Sequence, residues 1–267
     1  MSLTQISAEE QRLIDLANRQ GKFKQEDLVI PRLKVLQPLN PEVQENGPQY
    51  VQDARPGMFY NTNSGKLTSG KTGMTIVIVG HQRNYIEWIP RQDGGGLVKI
   101  WGVDEGWRNL CDPDKVNDWQ PVTKNGHTIQ KIRSFFVFDI DTESGDYDAS
   151  FMNLSGTQTR IAAGLSSMLM QAKMKIAGKV YTAPFYFYTY KMTLDSMRND
   201  KGSWFVPRIV KNTNAEGLHV RTMDLQNGEQ IFNDAVSMQE QFMEGTILQQ
   251  SFDEPQQNGE QIQDDNF

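Results

Sequence analysis

Residues 157–176 constrain the fold most. Ile161, Leu165, Met168, Leu169, Ala172 and Ile176 recur at helical spacing there, while Arg160, Gln171 and Lys175 lie off that stripe. It is the strongest helical pattern in the chain, and strand patterns surround it. Residues 74–79 form a compact β-branched run closed by Gly80, and 85–89 read as a second strand after a short gap. Residues 135–140 and 147–154 flank a Ser144-Gly145 turn and predict a hairpin. Beyond the helix, 181–194 read as one long aromatic strand. A turn at 199–202 leads to a strand at 204–210, whose Pro207 favours a sheet edge. Strands, one helix, then a last hairpin predict a mainly antiparallel β domain, arranged as a small closed barrel with an inserted helix. The alternating pieces of 97–133, which include Trp101, Trp107 and Trp119, give no clear assignment.

The flanks read differently. Ser7 and Glu10 have capping-box spacing, Leu13, Ile14 and Ala17 form an apolar stripe, and Gly21 offers a stop. Residues 27–39 read as an extended arm limited by Pro31 and Pro38, and 40–56 as a loop. A short helix is predicted over 230–244 on Phe232, Val236 and Phe242, with disorder expected beyond about residue 251. The predicted organisation is an arm over 1–56, a β domain over 57–221 and an acidic segment over 222–267. A lone Cys111 excludes a disulfide framework and a four-cysteine zinc site. No apolar run approaches the ~20 residues of a membrane helix. A soluble, cytoplasmic protein is the expectation, in a host cytoplasm if the chain is viral.

The net charge of −6 conceals a split. No Lys or Arg follows Arg221, while that stretch holds ten acids; the preceding body carries 27 bases against 23 acids. A mildly basic body therefore precedes an acidic tail, a pattern typical of a solvated interaction segment.

Two motifs invite other readings. Residues 65–72, GKLTSGKT, match the phosphate-loop pattern, and Phe135 to Asp139 resemble a magnesium-side strand. A phosphate loop must open a helix, because the helix N-terminus binds the phosphates. Here Thr72 is followed by Gly73 and a strand-like run, so a polar hairpin loop is the stronger expectation. Asp139, Asp141 and Glu143 superficially resemble a calcium loop, but Ser144 stands where the turn glycine belongs. His81, His127 and His219 lack ligand spacing. No catalytic constellation, metal site or cofactor motif emerges.

A nucleic-acid reading rests on rings interleaved with cations. If 181–194 is one strand, Tyr186, Tyr188 and Tyr190 share a face beside Lys191 and form a base-stacking platform. The next strand adds Trp204 and Arg208, and the joining turn Arg198 and Lys201. Arg83, Tyr85, Trp88 and Arg91 repeat the mixture elsewhere. The competing explanation for each ring is core packing. At the other end, Asp264, Asp265, Asn266 and Phe267 combine carboxylates with a final ring, suited to a basic-rimmed pocket on a partner.

On these residues the chain resembles single-stranded DNA-binding proteins of bacteriophages. The tip at 264–267 looks like the acidic, Phe-ended tips of bacterial and phage single-strand binders, though Asn266 stands where bacterial tips usually carry Ile-Pro. The body is similar to a phage group of OB-fold binders through DLVIPRLKVLQ at 27–37, PGMFYN at 56–61 and KGSWF at 201–205. The resemblance implies an OB-fold-like five-stranded barrel with an inserted helix and a helical N-terminal arm. It also implies single-stranded DNA in the groove and a tail that recruits replication, recombination or repair enzymes, without catalysis. A phosphate-loop NTPase of DNA metabolism and a virion or scaffold protein are the alternatives, and self-association is left open.

Overall fold

A computed structural model describes residues 31–113, 121–200 and 202–243. The predicted N-terminal helix, Trp119, Lys201 and the tip at 264–267 lie outside the described residues. The described chain is mainly β. Its strands are β1 (Leu33–Val35), β2 (Met58–Asn61), β3 (Leu67–Ser69), β4 (Met74–Ile89), β5 (Gly96–Trp101), β6 (Thr128–Ile140) and β7 (Tyr147–Ser155). The helix α1 (Thr159–Gln171) follows, then β8 (Lys173–Ile176), β9 (Lys179–Thr182), β10 (Thr189–Asn199), β11 (Gly202–Lys211) and α2 (Gly228–Met243).

The principal sheet has the order β11-β10-β4-β6-β7, with β5 added to the far half of β4. All its ladders are antiparallel. Pro207 falls on β11, an edge strand, where the missing N–H costs least. The predicted closed barrel is not present, because β1, β2 and β3 form a separate small sheet that stands between the two ends of the large one. Isolated hydrogen bonds make those junctions. Phe151 N–H donates to the Pro31 carbonyl and Leu194 N–H to the Gly70 carbonyl, both at 2.8 Å. The Gln37 side-chain amide clips the Phe205 backbone through both its atoms, again at 2.8 Å each.

Two apolar layers flank the large sheet. Ile76, Ile78, Phe135, Val137, Met152, Leu154, Tyr190 and Met192 pack one face against Leu33, Phe59 and the α1 residues Ala162, Leu165 and Leu169. On the opposite face Val77, Val79, Phe136, Phe138, Ile140 and Phe151 receive Ile231 and Ala235 of α2. The predicted C-terminal helix is thus present, and its buried Ile231 contributes about 1.5–3 kcal/mol by leaving water. The Tyr147 hydroxyl, donating to Asp234 at 2.9 Å, pins the same helix.

Three predicted elements differ. The helix stops at Gln171, because Ala172 turns extended and Lys173–Ile176 enter a hairpin with Lys179–Thr182. Ala177 and Gly178 both take positive φ in its turn, so Gly178 shapes a hairpin instead of ending a helix. The aromatic strand at 181–194 is three pieces: the end of β9, a 3-10 turn over Phe185–Phe187 entered from Pro184, and the start of β10. Its alternating tyrosine face therefore does not exist. The two strands expected at 74–79 and 85–89 are one sixteen-residue strand, carried past Gly80 by a register shift at Ile78/Gly80.

The phosphate-loop letters take a strand-turn-strand form. Residues 67–69 are β3, and after the turn Gly73 leads straight into β4. Gly73 has φ +68, and a Cβ there would sit 2.2 Å from the Met192 carbonyl oxygen. Gly73→Ala should lower unfolding free energy by about 2 kcal/mol in chemical denaturation, through left-handed strain plus displacement of β10. Lys66 of this motif does meet Asp139, at 3.4 Å, and burial raises the Asp139 pKa against that partner.

Candidate functional site

The polar gap that split β4 in the sequence becomes the most unusual part of the sheet. Register places His81 opposite Phe135, Arg83 opposite Arg133 and Tyr85 opposite Lys131. Phe135 belongs to the α1-side core. Alternation along β4 and β6 therefore runs that apolar face directly into a cationic one. Directly opposed side chains in an antiparallel pair lie about 5 Å apart at Cβ, and like charges there destabilise the pair. Arg83 and Arg133 are nevertheless both half-buried. Each has its Nε buried without a hydrogen-bond partner. Arg133 donates from Nη1 to Ser166 Oγ on α1 at 3.4 Å. The Arg83 side chain makes no hydrogen bond or ion pair among the described residues.

Electrostatics mark the same place. Burial, then Arg133 and Arg83, lowers the His81 pKa from its ordinary 6.5 to about 4. Burial lowers the Lys131 pKa first, followed by repulsion from Arg83, Arg133 and Arg108. Burial and then Arg83 lower that of Arg133. Since His81 binds its proton more weakly when folded, unfolding takes up a proton between pH 6.5 and 4. Stability should therefore fall as pH drops through that window, with the loss complete below about 4. A denaturation series in His81→Gln should show a shallower fall over the same range.

Buried rings bound the far end of this cationic face. Tyr85 stacks on Trp107 at 4.4 Å, and Arg108 lies over the other ring system at 4.8 Å from its centroid. Across β5, the Lys99 ammonium sits 4.0 Å over Trp101. The Trp101 indole donates to Glu87 at 3.0 Å, and His127 Nδ1 lies 2.8 Å from the same carboxylate. This frame holds the Trp107 turn against the sheet.

The residues expected to bind are scattered over the molecule. Arg83 lies on the cationic face, and Tyr85 beside it is buried with Trp107, Cys111 and Ile129. Trp88 lies on the opposite face of β4, against Ile86, Ile132, Leu97 and Ile100. Arg91 starts a short turn beyond the strand, and its side chain lies outside the described residues. Tyr190 is core, 1% exposed, with burial pushing its pKa up to about 12. Tyr186 packs edge-on against Phe232 at 5.0 Å, under α2. Tyr188 stacks on His219 at 4.1 Å and donates its hydroxyl to the Lys173 carbonyl at 2.7 Å. Lys191, Trp204 and Arg208 alternate onto the outward face of the β10–β11 ribbon, and Arg198 is exposed near its tip. Lys131, Arg133 and Arg108 escaped sequence reasoning. For Lys131 and Arg133 the signal was the period-two run Ile129, Lys131, Arg133, Phe135, which carries cations into a core face.

The described residues form a mainly antiparallel β protein with two α-helices and a cationic face on its central strands. The family model of the Pam3 phage gp34-like protein matches residues 7–248, and the chain belongs to that phage protein family. Neither curated proteins nor solved structures give a match. Among the described residues no helix is long and apolar enough to cross a membrane, and no group of three or more His, Cys, Asp or Glu could hold a metal ion.

Proposed function

We propose that this protein binds single-stranded DNA, without strong sequence preference, across the cationic face of the paired strands β4 and β6 during phage DNA replication, recombination or repair. One observation carries the reading: Arg83 and Arg133 are opposed, half-buried, and short of partners for their buried Nε atoms. A chain keeps such a repulsive pair when an anion relieves it, and a row of phosphates does so for a row of cations. Lys131 and Arg108 extend the row, and the Tyr85–Trp107 stack is buried beneath it and supports it from the core.

Strand order supports the same reading. Setting β5 aside as an insertion, β4, β6, β7, β10 and β11 are five antiparallel strands with α1 between the third and fourth. The first strand pairs with the second on one side and the fourth on the other, an arrangement suited to a partly open OB-fold. In that fold the second and third strands and the loops after the first and fourth hold the ligand. Those places carry Lys131 and Arg133, then Trp107 and Arg108, then Arg198. The acidic tip at 264–267 would recruit partner enzymes in this scheme.

Anisotropy with a labelled oligo-dT, challenged with unlabelled duplex, tests the proposal. Saturable binding that duplex competes for poorly is the expected result. Absence of saturable binding at low salt contradicts it and returns the aromatic strands to a purely structural role.

A further inference from the structure

The β8–β9 hairpin pairs with nothing else: among the described residues its two strands form a sheet of their own. An isolated two-stranded ribbon is marginal in water, so its exposed side chains call for an explanation. Ile176, Val180 and Tyr181 are 53%, 66% and 47% exposed. Register puts Met174, Tyr181, Ile176 and Lys179 on one face and Lys173, Lys175 and Val180 on the other. The sequence KMKIAGKVYT over 173–182 has three lysines and no acid. Neither the sheet core nor the cationic face uses any of these side chains.

From this we infer that the hairpin is a docking site for the acidic segment 252–267 of this same chain, which adds to an open hairpin edge as an extended strand. Charge complementarity argues for that occupant. Residues 252–267 hold Asp253, Glu254, Glu260, Asp264 and Asp265 and no base. Phe252, Ile262 and Phe267 supply apolar side chains for the Ile176–Tyr181 face, a match that a nucleic-acid backbone lacks. Strand addition pairs the unused main-chain groups of an edge and reads alternate side chains. Reach is sufficient. The 24 residues after Met243 span up to about 80 Å when extended, at about 3.3–3.6 Å each. The inference does not depend on single-stranded DNA binding.

Hydrogen exchange on the full-length chain tests it, read at 173–182 with β4 and β6 as folding controls. Neutralising the segment (Asp253→Asn, Glu254→Gln, Glu260→Gln, Asp264→Asn, Asp265→Asn) should speed exchange in the hairpin about tenfold. Lys175→Glu with Lys179→Glu should do the same. Adding Asp264→Lys and Asp265→Lys to that lysine variant should restore protection. Hairpin exchange that ignores both sets of substitutions overturns the inference. So does a lysine variant that loses oligo-dT affinity while hairpin exchange stays unchanged, since the occupant would then be nucleic acid.

Discussion

Arg83→Glu should weaken oligo-dT binding by about two orders of magnitude and, at the same time, make the protein more stable. Both effects come from one pair. In the native chain Arg83 faces Arg133 across the β4–β6 ladder with no counter-ion among the described residues. A carboxylate at position 83 turns that repulsive pair into an attractive one, worth about 0.5–1 kcal/mol across a ladder. For a chain of this size that raises Tm by about 1–4 °C. The ligand loses a charge-assisted contact of about 1.5–3 kcal/mol and meets a like charge instead. Affinity measured by anisotropy and Tm measured by calorimetry should therefore move in opposite directions. Two quantities falling together would mean that Arg83 serves the fold and not a ligand.

The second large effect separates stacking rings from core rings. Tyr190 is buried beside Met192 and Ile76, inside the layer that α1 closes. Tyr190→Ala should cost about 3–5 kcal/mol of unfolding free energy, as other buried aromatic truncations do. Tyr190→Phe should leave oligo-dT affinity within about twofold of the native chain, because a phenyl ring fills the same core space. An affinity loss in the Phe variant without a stability loss would place this ring against bases.

These two positions show what the sequence could and could not carry. The α1 stripe, the β6–β7 hairpin, the edge strand marked by Pro207 and the last helix were all readable, because each rests on a local period or a local turn. What escaped depends on residues distant in the chain. Only pairing with Arg133 makes Arg83 unusual, and fifty positions separate them. Tyr186, Tyr188 and Tyr190 alternate in the sequence, yet Pro184 and the 3-10 turn after it send one ring under α2, one onto His219 and one into the core. The gap between the two predicted strands is visible as His81, Gln82, Arg83 and Asn84 among apolar residues. Polar residues inside a continuous strand break the local rule, as functional sites do. The closed barrel failed for a related reason: β1, β2 and β3 are short, far back in the chain, and wedge between the edges that would have met.

Salt dependence of oligo-dT binding tests the central claim, that cations of the β4–β6 face hold phosphates, most directly. For the native chain the logarithm of the binding constant should fall linearly with the logarithm of salt concentration, by about 0.7 per phosphate neutralised. In Arg83→Gln the line should lie lower and run shallower by about the same 0.7. A native affinity insensitive to salt, or a variant whose line is displaced without any change of slope, would contradict the account.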